Sequence, residues 1–271
     1  MPGELSGPQP GRPVAVVTGA SSGIGRELAV LLAAGGFDLI LAARRAERLR
    51  ELARQLSSRH GAGARAVVVD LAEPGGAERV YDAANRTPGG VQVLVNNAGI
   101  GSFGPFADTE WARIRSQLRL NIEALTRLTH LFVPDMVRRR AGRILNVAST
   151  AAFQPGPRMA VYYASKAYEL LFSEALAEEL RGTGVTVTTL CPGPTRTEFQ
   201  DRAGMGSSGL FRLWSVMDAA RVAEAGYRGM LRGKRIVVPG TFNRLTALSP
   251  RFLPRRWMAR LVGMIQAPRG P

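Results

Sequence analysis

The sequence predicts one α/β domain, a doubly wound parallel sheet of about seven strands with helices on both faces, and three observations carry that expectation. Compact apolar runs alternate with helical stretches along the chain, the order that implies crossover connections rather than hairpins. Several runs are continuous rather than alternating, as in Val67-Val68-Val69, which suits strands buried on both faces. With 271 residues, 45% of them hydrophobic and 21% charged, the chain has the size and balance of one large core.

The strands are read at 14–18, 39–43, 66–69, 91–95, 143–148, 185–190 and 235–238. The first ends in glycines and is followed from Ile24 by a helical pattern through Leu32. Ahead of it, residues 1–12 are rich in Gly and Pro and read as a disordered leader without the apolar core of a signal peptide. Residues 13–240 form the body, with no internal repeat or linker, and 241–271 form a basic extension. One long interruption, from Glu198 to Val216, holds four glycines or serines at Gly206 to Gly209 and reads as a mobile flap carrying Phe199, Met205, Phe211 and Trp214.

One cysteine, Cys191, and two histidines exclude a disulfide framework and a Cys/His metal cluster. Cys191 has no His or charge partner beside it and reads as a buried strand-end residue. No apolar stretch approaches the length of a spanning helix, so a reducing, cytoplasmic setting is expected. The net charge of +15 is concentrated: from Ala225 to Pro271 there are ten basic residues and no Asp or Glu. This basic tail lacks the interleaved aromatic platform or binding motif that nucleic-acid recognition would need. Only Lys166 and Lys234 are lysines among the 36 basic residues, which singles each of them out.

Gly19-Ala20-Ser21-Ser22-Gly23-Ile24-Gly25 lies between the first strand and the first helix. A dinucleotide pyrophosphate needs a tight turn, close backbone approach and a helix N-terminus there, so the pattern predicts a Rossmann-type cofactor site. The second strand ends Ala42-Ala43-Arg44-Arg45, without the acid that binds a ribose 2′-hydroxyl. Arg44, nearer the strand end, is the expected partner of a 2′-phosphate, and the cofactor is expected to be NADP(H). Asp38 precedes the strand and is poorly placed to be the missing acid.

Further motifs follow in order: Asp70-Leu71 after the third strand, Asn96-Asn97-Ala98-Gly99 after the fourth, Asn121, Ser149 after the fifth, Tyr162-Tyr163-Ala164-Ser165-Lys166, and Pro192-Gly193-Pro194-Thr195-Arg196-Thr197 after the sixth. In this order and spacing the chain resembles the short-chain dehydrogenase/reductase superfamily, in its compact single-domain branch, over about residues 13–238. Tyr162 and Lys166 are four apart and share a helix face. An ammonium and a positively charged nicotinamide nearby would favour the phenolate, making Tyr162 the expected general acid in reduction and base in oxidation. Ser149, at the carboxyl edge of the sheet, would donate to the substrate oxygen. The resemblance further implies that Lys166 bonds the nicotinamide ribose and that Asn121 organises a water and proton relay. It also implies that Asp70 and Leu71 approach the adenine, that Asn97, Ala98 and Gly99 line the cleft, and that Pro192, Gly193, Thr195 and Thr197 hold the carboxamide end. Tyr163 reads as packing. Related proteins generally pair through the helices carrying Asn121 and Tyr162, so a homo-oligomer is expected.

In the tail, Leu253, Trp257, Met258, Leu261, Met264 and Ile265 fall on one side of a helix and Arg255, Arg256 and Arg260 on the other. Such a helix lies either on an anionic membrane surface or with its apolar face on the substrate cleft or another subunit. The expected activity is NADPH-dependent reduction of a hydrophobic ketone or aldehyde, with steroid, fatty-acyl and xenobiotic carbonyls all open. The alternative is a catalytically silent NADP(H)-binding sensor or scaffold of the same fold, against which the intact Ser149, Tyr162 and Lys166 argue.

Overall fold

The computed structural model describes residues 7–9, 11–85, 87, 89–205, 216–252 and 254–267. Five βα steps and a sixth strand open the chain: β1 (Val14–Thr18), α1 (Gly23–Ala34), β2 (Asp38–Ala43), α2 (Ala46–His60), β3 (Ala64–Val68), α3 (Gly76–Asn85), β4 (Val91–Asn96), α4 (Trp111–Leu118), α5 (Leu125–Arg138), β5 (Gly142–Val147), α6 (Ala160–Glu179) and β6 (Val185–Leu190). The short pieces β7 (Thr195–Arg196), α7 (Phe199–Ala203) and β8 (Met217–Asp218) follow, then α8 (Ala219–Leu231), β9 (Ile236–Val237), α9 (Thr241–Leu248) and α10 (Arg255–Gln266). Seven strands pair in parallel in the order β3-β2-β1-β4-β5-β6-β9.

Alternate residues along each central strand serve opposite faces, which is why the runs are apolar throughout. Ala15, Val17, Leu39 and Leu41 pack with Leu28 and Leu32 of α1, Leu52 and Leu56 of α2, and Val222 and Met230 of α8. Val14, Val16, Ile40 and Ala42 pack on the other face with Val80 of α3 and with Leu128, Phe132 and Met136 of α5. Each fully buried Leu or Ile of these layers contributes about 1.5–3 kcal/mol of transfer free energy.

The edge strand departs from expectation. Val68 is half exposed, because β3 has a neighbour on one side only and its outer face lacks full helix cover. The continuous Val67-Val68-Val69 run is therefore not evidence of two-sided burial. β7 and β8 were not legible either: these two-residue strands pair with each other and bring together the two ends of the flap segment. Phe211 and Trp214 of that flap lie outside the described residues. At the N-terminal side, Asp38 is fully buried and accepts from the backbone of Gln9 and Gly63 while pairing with Arg12 at 3.0 Å. It ties the approach to β1 onto the sheet and takes no part in the cofactor cleft.

Candidate active site

The strand order reverses between β1 and β4, and the crevice outside their carboxyl ends is where ligands enter open α/β sheets. Here it is a cleft of about 710 Å³ reaching from Arg44 and Asp70 at one end to Lys166 and Thr197 at the other. Gly19 and Gly23 take left-handed φ of 65° and 56°, a conformation that glycine adopts without strain. Thr18 and Asn97 lock this loop to β4: the Asn97 amide donates to the Thr18 carbonyl at 2.9 Å, and the Thr18 hydroxyl accepts from the backbone N–H of Asn97 and Ala98 at 3.0 Å. Ser22 is the N-cap residue of α1, but its side chain accepts no capping hydrogen bond from the helix N–H groups. The first N–H groups of α1 thus point into the cleft without a side-chain acceptor, as a pyrophosphate site requires.

All the predicted cofactor residues except Gly25 line this cleft. Gly25 is buried beneath it, with Asn97 and the Gly19 carbonyl against its Cα. Arg44 is mostly exposed and pairs loosely with Asp70 at 3.4 Å. Arg45, which sequence reading passed over, turns inward and donates to the hydroxyls of Ser21 at 3.0 Å and Ser22 at 2.6 Å. It also bonds Glu198 at 2.7 Å, and Glu198 further pairs with Arg48 and Arg202. A second basic residue beside the glycine loop was visible in Arg44-Arg45, but which of the two faces inward depends on the first turn of α2. Thr195 spends its hydroxyl on the Gly193 carbonyl at 2.9 Å, and Thr197 packs on Gly23.

Ser149, Tyr162 and Lys166 meet at the inner end. Ser149 follows β5 and caps the short turn after it, its hydroxyl accepting from the Ala151 N–H at 3.1 Å. Tyr162 and Lys166 share a face of α6, with the ammonium 5.8 Å from the ring centre. Lys166 is buried and donates to the Val147 carbonyl at 2.9 Å and to both Glu169 oxygens at 2.8 and 3.0 Å. The expectation of a phenol lowered by a nearby ammonium is not met by the protein alone. Burial raises Tyr162 well above its ordinary value, Ser149 opposes this by hydrogen bonding, and the Glu169 charge adds to it.

Asn121 stands apart from the other three. It lies in a π-helical turn, Arg119–Ala124, inserted between α4 and α5, a distortion common at functional sites. Its side chain holds Ile100 through both backbone groups at 3.0 and 2.9 Å and donates to Ser165 at 2.9 Å. Those bonds clamp the Gly99-Ile100 turn to α6, and none of them goes to Lys166.

The cleft roof is apolar. Met159, Tyr163, Ala203, Met205, Met258 and Val262 are buried together, with Phe103, Tyr162 and Phe199 against them. Tyr163 is packing, as expected, and its hydroxyl accepts from Gln266 at the end of α10. The tail is thus split rather than one-sided: Met258 and Val262 are buried in the cluster that includes the cleft residues Met159, Tyr163 and Met205, whereas Trp257, Leu261 and Met264 are exposed. Cys191 is fully buried at the end of β6, and that burial pushes its thiol up to about 12.

The short chain dehydrogenase family profile matches residues 13–206. The chain is 37% identical over 219 residues to sulfoacetaldehyde reductase 2 of Chromohalobacter salexigens, covering 78% of this chain and 85% of that protein. A short-chain dehydrogenase from Sphingobium yanoikuyae, solved with NADPH, superposes with a TM-score of 0.80 at 32% identity over 96% of this chain and 98% of that one. A short-chain dehydrogenase/reductase from Burkholderia phymatum, solved with NAD, gives 0.79 at 25% identity over 99% of each chain. The sheet order, the glycine loop and these matches agree, and the chain belongs to the short-chain dehydrogenase family of oxidoreductases.

Proposed function

We propose that the chain is an NADP(H)-dependent oxidoreductase that reduces the carbonyl of a hydrophobic ketone or aldehyde, with Tyr162 as proton donor. The observation that carries this reading is the meeting of Ser149, Tyr162 and Lys166 under an apolar roof at the inner end of the cleft. When bound, the nicotinamide cofactor supplies or accepts the hydride. The chain's own residues supply the rest. The Ser149 hydroxyl orients the substrate oxygen and stabilises charge developing on it, Tyr162 donates the proton, and Lys166 holds the cofactor ribose. Met159, Phe199 and Met205 line the cleft and exclude water from the reacting carbon, and Met258 and Val262 back them in the same buried cluster. A sensor that kept the fold without the chemistry would have no need of that constellation.

Arg44 and Arg45 support NADP(H), as does the neighbour solved with NADPH. Two guanidinium groups at the adenosine end suit a 2′-phosphate, to which charge-assisted hydrogen bonds are strong. Arg44→Ala combined with Arg45→Ala is expected to weaken NADPH binding by about tenfold to hundredfold and NADH binding by less than about threefold. Fluorescence titration of both cofactors tests this, and an equal loss for the two would contradict phosphate recognition.

A second reading concerns partners. Among the described residues no helix is long and apolar enough to cross a membrane. Trp257, Leu261 and Met264 nevertheless form an exposed stripe on α10 with Arg256 and Arg260 beside it, and we place this face on an anionic membrane surface. The prediction is co-sedimentation with phosphatidylserine vesicles that is lost in Trp257→Ser/Leu261→Ser, while equal retention on neutral vesicles would contradict it. Exposed Leu171, near the stacked Tyr168 and Phe172 of α6, supports pairing of two copies through that helix.

A further inference from the structure

We propose that Glu169 is a positioning residue for the reaction: its buried carboxylate holds the Lys166 ammonium and offsets that ammonium's pull on Tyr162, keeping Tyr162 a phenol and biasing the site toward carbonyl reduction. The inference rests on the reading of Tyr162 as proton donor and adds the residue that sets its protonation.

The geometry is that of a closed pair. Glu169 is 1% and Lys166 4% exposed, and both carboxylate oxygens accept from Nζ at 2.8 and 3.0 Å. Glu169 sits one turn beyond Lys166 on α6, and its own turn is fixed to the sheet. Ser173 donates to the Glu169 backbone carbonyl, Asn146 donates to Ser173 at 2.8 Å, and Asn96 donates to Asn146 at 2.9 Å. The Val147 carbonyl takes a third bond from Nζ, so Lys166 reaches a cofactor ribose by giving up one of its paired carboxylate contacts while keeping the other.

A bare ammonium 5.8 Å from the Tyr162 ring would favour the phenolate. Paired with a carboxylate at hydrogen-bond distance, the same ammonium presents a small net field, and the phenol persists. The Glu169 charge acts in that direction on Tyr162 and on Cys191 alike. Burial pushes Glu169 up to about 7 against the opposing pull of Lys166, so the offset is fullest above neutrality and fades as the carboxylate takes up a proton. Among the other groups near this pair, Glu174 of α6 pushes Cys191 in the same direction as Glu169 does. Cys191 at the end of β6 is a neutral thiol, and β6 itself carries no ionisable side chain. Arg143 of β5, Arg119 and Glu123 of the π turn, and Arg113 and Arg115 of α4 are none of them buried. Thr150–Phe153, packed on α6, contributes no charge.

The test is a titration of the full chain labelled with ¹³C at tyrosine Cζ, in its NADP⁺ complex and alone, the Tyr162 signal being assigned by its loss in Tyr162→Phe. Glu169→Gln is expected to move the ionisation of Tyr162 to lower pH by about one unit. In the wild type, the same signal is expected to show a small step near pH 7 as Glu169 changes charge. A Tyr162 titration identical in the folded variant overturns the proposal. Where the variant does not fold, absence of the step in the wild type overturns it. Full turnover by Tyr162→Phe would instead remove the proton-donor reading, whatever the titration shows.

Discussion

Tyr162→Phe is expected to lose turnover by about 10²–10⁴-fold while binding NADPH as tightly as the wild type. The substitution removes one oxygen. The ring keeps its contacts with Phe199, 5.2 Å away between centroids, and with Tyr163, so the cleft wall survives. What disappears is the phenol hydrogen-bonded to Ser149, and with it the proton that must reach the substrate oxygen as charge develops there. Single-turnover absorbance at 340 nm, with NADPH affinity measured separately, checks both halves. A variant with wild-type turnover would mean that water or another group supplies the proton.

Gly25→Ala is expected to lower the melting temperature by about 2–10 °C and to weaken NADPH binding by about tenfold or more. A Cβ at this position would lie 2.3 Å from the Asn97 amide nitrogen and 2.6 Å from the Gly19 carbonyl oxygen. Neither is the end of a flexible chain. Asn97 is the bolt between the glycine loop and β4, and Gly19 is backbone in the turn itself. The methyl can be housed only by moving the loop that a pyrophosphate must approach. Differential scanning calorimetry and cofactor titration read the two effects, and wild-type values in both would contradict the close-approach account.

These two residues also mark what was legible beforehand. The glycine loop, the succession of seven strands along the chain and the Tyr162–Lys166 pair are set by local spacing and by the apolar period, and all three survive translation from sequence to fold. Arg45 was missed because its direction depends on how α2 starts, which spacing does not reveal. Glu169 was missed because a carboxylate three residues beyond Lys166 reads as a solvated helix position until α6 is seen against the sheet. An acid on the same face as a solitary lysine was the available signal. The tail was legible as amphipathic, yet its apolar residues divide between a buried cluster and the surface, which depends on the packing of Met258 and Val262 against residues distant in sequence. Val68 misled for the opposite reason: a run of valines suggests two-sided burial, and an edge strand denies it.

The most direct test of the central claim is NADPH and NADH oxidation by the wild-type chain against a panel of apolar ketones and aldehydes, using 4-deuterated cofactor and mass analysis of the product. The account predicts turnover that prefers NADPH, with one deuterium delivered to the carbonyl carbon of the product alcohol. Failure to bind NADPH at all, or NADPH loss with no deuterium in any alcohol, would contradict it.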